Sequence, residues 1–183
     1  MSDDLDFTGP AATPSPPPTP ERVAASKSEA SSGGPQLAKT GFYVAMARNA
    51  GGLVSPRNGE RHCIFVVEDD ADLSRLVGEV LTSAGFLTRF AHDKGEINQE
   101  FNRPPLPDLM LLDVSLPDAD GFNILERIRG NARIAKLPVI MMTGKSEVAD
   151  VARGLSLGAD GYVTKPFKIS ALVAAVKTVL GLE

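Results

Sequence analysis

CIFVVEDDADLSRLVGEVLTSAG, residues 63–85, decides the fold class. Its first five residues, Cys63 to Val67, form a short continuous apolar run, the pattern of a strand buried on both faces. Three acids follow, Glu68, Asp69 and Asp70. Apolar residues then recur at Leu73, Leu76, Val77, Val80 and Leu81, a spacing that lines one stripe of a helix. Gly85 suits a left-handed cap at the end of that helix. A buried strand running straight into an amphipathic helix is the repeating unit of a parallel sheet covered on both faces.

The same unit recurs downstream. FLTRFA (86–91) reads as a second strand, and a weak helix around Lys94–Phe101 carries Ile97 and Phe101. Pro104, Pro105 and Pro107 break the chain before a third strand, LMLL (109–112). A helix of about 122–129 buries Phe122, Leu125 and Ile128. Pro138 introduces the fourth strand, VIMM (139–142). Val148, Val151, Ala152 and Leu155 stripe the next helix, which Gly158 ends. GYVT (161–164) is the fifth strand, and Ile169, Leu172, Val173, Val176 and Val179 repeat the helical period over about 168–181. The expected class is therefore α/β, a five-stranded parallel sheet in a doubly wound (βα)5 arrangement.

Upstream the composition is different. Eight of the 14 prolines fall in residues 1–60, including the run TPSPPPTP from Thr13 to Pro20. Proline at that density favours extended polyproline II, and the small polar SKSEASSGGP that follows lacks the surface to offset ordering entropy. The division expected is a disordered Pro/Ser/Gly-rich extension over 1–60 and a domain over 61–183. Within the extension, 41–54 (GFYVAMARNAGGLV) reads as a linker, with a short docking helix as the alternative, and Met46 is an alternative translation start.

The totals exclude several classes. A net charge of −4 gives no electrostatic reason for nucleic acid or an anionic membrane as main partner. Cys63 is the sole cysteine, so no intrachain disulfide forms. There is no apolar run near ~18 residues. The acidic, proline-bearing start is the opposite of a secretory leader. Cytoplasmic placement is the expectation.

In doubly wound sheets, ligands bind beyond the carboxyl ends of the strands, where strand order reverses. After the first strand come Glu68, Asp69 and Asp70; after the third, Asp113; after the fourth, Thr143; after the fifth, Lys165. A single acid there is usually a turn residue or helix cap, the reading for Asp70 and Asp72. The full set is harder to assign to capping. Carboxylates of Glu68, Asp69 and Asp113 held together resist ionising together. A hard cation such as Mg²⁺ and the ammonium of Lys165 would resolve that conflict.

At these residues the sequence resembles the receiver domains of two-component response regulators, of the stand-alone, CheY-like, flavodoxin-like kind. The resemblance spans about 61–183 and rests on VVEDD (66–70), LLDVSLPDADG (111–121), MTG (142–144) and YVTKPF (162–167), with typical separations. It implies that Asp113 is the phosphoacceptor. Glu68, Asp69, Asp113 and the backbone carbonyl of Ser115 would hold Mg²⁺, Thr143 would hydrogen-bond the phosphoryl group, and Lys165 would pair with it across a cis Lys165–Pro166 bond. Tyr162 takes the family's aromatic switch position, turning inward when Thr143 moves. The face of the fourth helix, fifth strand and fifth helix would then engage a downstream protein. Small residues at Ser115 and Gly144 point to a phosphoryl lifetime of minutes.

The function implied is a signalling switch, not an enzyme beyond its own aspartyl phosphorylation and dephosphorylation. Its donor would be a sensor histidine kinase or a histidine phosphotransferase, and no direct DNA binding is expected, since the chain stops at Glu183 where the last helix ends. Within signalling, a relay intermediate and a non-phosphorylated pseudo-receiver scaffold are the alternatives. A further one gives the extension the decisive role, through Thr13-Pro14 and Ser15-Pro16 or the 41–54 stretch. A haloacid-dehalogenase-like phosphatase needs a second acid two residues past its nucleophile, and that position is Ser115. The family is matched less well over His92–Pro107, which leaves the length of the second helix open.

Overall fold

The computed structural model describes residues 17–45, 53–57, 59–144 and 148–182. Five strand–helix units follow one another: β2 (Cys63–Val67), α2 (Ala71–Ser83), β3 (Leu87–Ala91), α3 (Lys94–Asn102), β4 (Leu109–Asp113), α4 (Gly121–Gly130), β5 (Val139–Thr143), α5 (Val148–Leu157), β6 (Gly161–Thr164) and α6 (Ile169–Leu180). They are preceded by α1 (Pro20–Thr40) and β1 (Phe42–Val44). The sheet order is β1-β6-β5-β4-β2-β3, parallel throughout except that β1 runs antiparallel to β6.

Strands β2, β4 and β5 are buried at every residue, as their unbroken apolar runs require. One face of the sheet packs Val77, Leu81, Leu172 and Val176 from α2 and α6. The other packs Ile97, Phe101, Phe122, Ile128 and Val151 from α3, α4 and α5. Two residues of the expected stripes lie outside: Leu76 is 44% exposed and Ile169 57%. Each sits at the margin of its helix's apolar face. The second helix of the domain is short, nine residues capped by Asp93, which accepts from the Glu96 amide.

Two expectations are corrected. Residues 20–40, read as disordered, form a 21-residue helix. Thr19 caps it, accepting from the Arg22 amide at 3.3 Å, Pro20 occupies the first turn, and Gly41 ends it at φ +82°. Its buried face is made of Ser26, Ala30, Gly33, Gly34 and Leu37. Small residues score as poor core formers, yet they let two helix backbones approach closely, and α1 packs along α5. Among the described residues the sheet has six strands, not five, with β1 at the edge beside β6. Phe42, Tyr43 and Val44 pair with Val163, Tyr162 and Gly161 and so cover the backbone groups β6 would otherwise expose. The helix suggested as the alternative for 41–54 is absent from 41–45. Residues 46–52 and the Thr13-Pro14 and Ser15-Pro16 sites lie outside the described residues. Among those described, no helix is long and apolar enough to cross a membrane.

Several turns hold the strand ends in place. Asp108 accepts from the amides of Arg57 and Cys63 at 2.9 and 2.8 Å, fixing the entry to β2. Asp160 accepts from Arg129 and the Val139 amide at 2.9 and 2.8 Å, fixing the entry to β5. Gly121 closes the loop after β4: its amide donates to the Val114 carbonyl at 3.0 Å. A Cβ there would lie 2.8 Å from the Val114 Cα and closer still to the Asp113 carbonyl oxygen. Backbone cannot move aside as a side-chain tip can. Gly121→Ala is therefore expected to cost about 1–3 kcal/mol, read as a lowered urea midpoint with an unchanged m-value.

Candidate functional site

The site forms at the carboxyl ends of β2, β4, β5 and β6, with two predicted residues after β2 and one from each of the others. Glu68 directly follows β2 and is buried, its amide donating to the Ala91 carbonyl at 3.1 Å. Asp113 ends β4, also buried, and its Oδ1 accepts from the Ser115 amide at 3.1 Å. Thr143 ends β5 and is buried beside it. The Lys165 amide donates to the Thr143 carbonyl at 2.7 Å, which ties the lysine's backbone to the threonine's strand end. The Lys165–Pro166 bond is cis, as the resemblance implied.

One side chain draws the site together. The Lys165 ammonium lies 2.5 Å from Glu68 Oε2 and 2.9 Å from Asp113 Oδ2. Burial alone would lower its pKa, but these two ion pairs outweigh burial and raise it. Lys165 is thus the fixed positive charge of the site. Glu68 is shifted upward as well: burial is the largest cause, the Asp113 charge adds to it, and the bond from Lys165 only partly offsets it. Glu68 remains under-neutralised.

Asp69 is exposed at the mouth, and one carboxylate oxygen from each of Glu68, Asp69 and Asp113 lies within 4.8 Å of the others. Three carboxyl groups against one ammonium carry a formal excess of two negative charges, which a divalent cation matches. All three donors are hard oxygens, and the exposed Asp69 leaves room for retained waters. The residues fit a Mg²⁺-type ion. Asp70 does what a residue after a strand usually does. It caps α2, accepting from the amides of Asp72 and Leu73 at 2.9 Å. Asp72 is exposed beside Arg75.

These features are matched by known proteins. The family model for the response regulator receiver domain matches residues 64–177. The chain belongs to that family. The receiver domain is 40% identical over 117 residues to the phosphate regulon transcriptional regulatory protein PhoB of Klebsiella pneumoniae, covering 64% of this chain and 51% of that one. It is 43% identical over 117 residues to the regulatory protein VanRc of Enterococcus gallinarum, covering 64% and 49%. The chain thus spans about half the length of the curated relatives it matches. The solved receiver domain of Francisella response regulator 1452 superposes with a TM-score of 0.60 at 27% identity, over 66% of this chain and 97% of that one.

Two features of the receiver domain were missed from sequence. Tyr162 is fully buried, and its hydroxyl donates to the Asp150 carbonyl at 3.5 Å. The space for that hydroxyl is opened by Gly154 on α5, where a Cβ would overlap it. Nothing in a lone glycine inside a helical stripe signals this. The second is that the face of α5, β6 and α6, expected to be open to a partner, is partly covered by α1 and β1.

The charge balance yields a prediction with opposite signs for stability and metal. Asp113→Asn removes one carboxylate from a buried like-charge pair while Lys165 keeps Glu68. Without divalent metal the variant is expected to be more stable, by about 1 kcal/mol or about 2–4 °C in Tm. The further rise in Tm that Mg²⁺ gives the wild type should largely vanish in the variant. Differential scanning calorimetry with and without Mg²⁺ measures both.

Proposed function

We propose that this protein is a phosphorylation-driven response regulator, with Asp113 as the Mg²⁺-dependent phosphoacceptor. The observation that carries the reading is the Lys165 ammonium bridging Glu68 and Asp113 at the rim where Thr143 and Asp69 also converge. A scaffold with no phosphoryl chemistry gains nothing from burying that charge cluster.

A carboxylate oxygen of Asp113 attacks the phosphorus of a phosphohistidine on a sensor kinase or phosphotransferase. The P–N bond breaks, its electron pair returns to the imidazole, and an acyl phosphate forms on Asp113. Lys165 moves its ammonium from the carboxylates to a phosphoryl oxygen, and the Thr143 hydroxyl donates to another. Glu68, Asp69, Asp113 and the Ser115 carbonyl would hold Mg²⁺, which supplies neutralisation of the equatorial oxygens when bound. Thr143, drawn toward the phosphoryl group, leaves room for Tyr162 to rest inward. The protein transforms no separate substrate and so acts as a switch, its output made through contact with another protein. Ser115 and Gly144 are both exposed, and a Cβ on Gly144 would meet nothing within 4 Å, so water has open access to the acyl phosphate. A lifetime of minutes follows.

The test is intact mass after incubation with acetyl phosphate and Mg²⁺. A gain of one phosphoryl group is expected, absent in Asp113→Asn and absent without Mg²⁺, with decay over minutes once the donor is removed. No gain with acetyl phosphate or with phosphorylated histidine kinases would overturn the reading. Lys165→Ala is expected to lower the phosphorylation rate at least about 10²-fold, on the scale of losing one preorganised charge-stabilising group.

A further inference from the structure

The chain has two tyrosines and no tryptophan, and the fold places the two tyrosines opposite each other. In the antiparallel β1–β6 pair, Tyr43 faces Tyr162, so their side chains project from the same side of the sheet. Both are buried in one core with Ala30 and Leu37 of α1. Each ring rests in a notch made by a glycine. Tyr162 sits over Gly154 of α5, and Tyr43 over Gly33 of α1, where a Cβ would come within 2.6 Å of the ring. The Tyr43 hydroxyl donates to Glu29 Oε1 at 2.9 Å.

The extension is fastened to the elements that carry the site. The Thr164 amide donates to the Gly41 carbonyl at 3.1 Å, one residue before Lys165, and the Ala45 amide donates to the Asp160 carbonyl at 2.9 Å. Arg22 at the start of α1 donates to the Ser156 carbonyl of α5 at 3.1 Å. Gly161 permits the close approach, since a Cβ there would lie 2.9 Å from the Tyr43 carbonyl oxygen. The Tyr162 ring is therefore enclosed in one core with β1 and α1, and exposing it disturbs that packing. The receiver-domain family model begins at residue 64, after this segment, and the Francisella receiver domain covers 66% of this chain.

We propose that residues 20–45 are a clamp acting within the chain, which docks on α5 and β6, holds Tyr162 inward and so favours the phosphoryl-bearing state of Asp113. The sign rests on the functional reading above, in which the inward tyrosine accompanies the phosphorylated site. Two states joined in this way are linked reciprocally: phosphorylation tightens the clamp, and the clamp strengthens retention of the phosphoryl group. Any partner that reads this face meets the composite surface of α1, β1 and α6, or must displace the clamp.

The experiment uses the full chain and beryllium fluoride with Mg²⁺, a non-covalent phosphoryl mimic whose binding is a true equilibrium. Calorimetry measures its affinity, with Asp113→Asn as control, and hydrogen exchange follows the amides of residues 20–45. Exchange there is expected to slow at least about 5-fold on saturation. Gly33→Leu, which unseats Tyr43 without touching the site, is expected to weaken the mimic's binding by about the same factor. Exchange that is unchanged or faster while the mimic binds at Asp113 overturns the clamp and leaves the receiver reading standing. Failure of the mimic to bind the wild type overturns both. Because the exchange measurement is made on the wild type, the outcome does not hang on how well the variant folds.

Discussion

The ammonium of Lys165 between Glu68 and Asp113 is the interaction on which the site depends. Two buried carboxylates from neighbouring parallel strands would face each other uncompensated without it, and the lysine would be buried unpaired without them. The arrangement is deliberately incomplete. Glu68 is still pushed above the usual carboxylate range, so the site carries an unmet demand for positive charge. A domain built only for stability would fill that space with apolar side chains. The cost of the cluster makes sense if the charge is used, as the proposed phosphoryl transfer with a divalent cation would use it.

The same lysine links the chemistry to the rest of the sheet. Its amide is bound to the carbonyl of Thr143 on β5, and the preceding residue, Thr164, is bound to Gly41 of the extension. Three strands, β5, β6 and β1, are thus joined within two residues of the charge. Rotation of a side chain at the rim has a short path through hydrogen-bonded backbone to the two buried tyrosines. Close approach makes that path stiff. Gly33, Gly154 and Gly161 each remove a Cβ where a ring or a backbone carbonyl must pass, so the tyrosines are held by shape more than by polar bonds.

The domain could be read from the sequence almost in full, because its signals are local. A buried parallel strand must be an unbroken apolar run, a covering helix must carry a stripe, and residues at the carboxyl end of each strand must meet at the rim. Those three rules alone bring Glu68, Asp113, Thr143 and Lys165 together. The extension was misread for an equally physical reason. Proline, serine and glycine argue locally against burial. Helix α1 nevertheless starts with a proline at its first turn, stops at Gly41, and buries a face of Ser26, Ala30, Gly33 and Gly34. The capping signals Thr19-Pro20 and Gly41 were present, but whether a stripe of small residues is a poor core or a close-packing surface depends on the partner it meets.

By itself, then, the sequence determined the strand and helix order of residues 63–180, the parallel sheet, and the identity of the charged residues at its rim, since each follows from periodicity and from the direction of the chain. The tertiary structure decided the rest. Lys165 became a bridge between Glu68 and Asp113 only when β6 was set beside β5 and its end turned toward β2 and β4. Tyr162 lies inward because Gly154 on α5 leaves room for its hydroxyl. Residues 20–45 became a helix and an edge strand because β6 offered an unpaired backbone and α5 a surface that small side chains fit. Apart from Gly154, which precedes Tyr162 closely, these are contacts between segments far apart in the chain, and no local pattern specifies a partner at that distance.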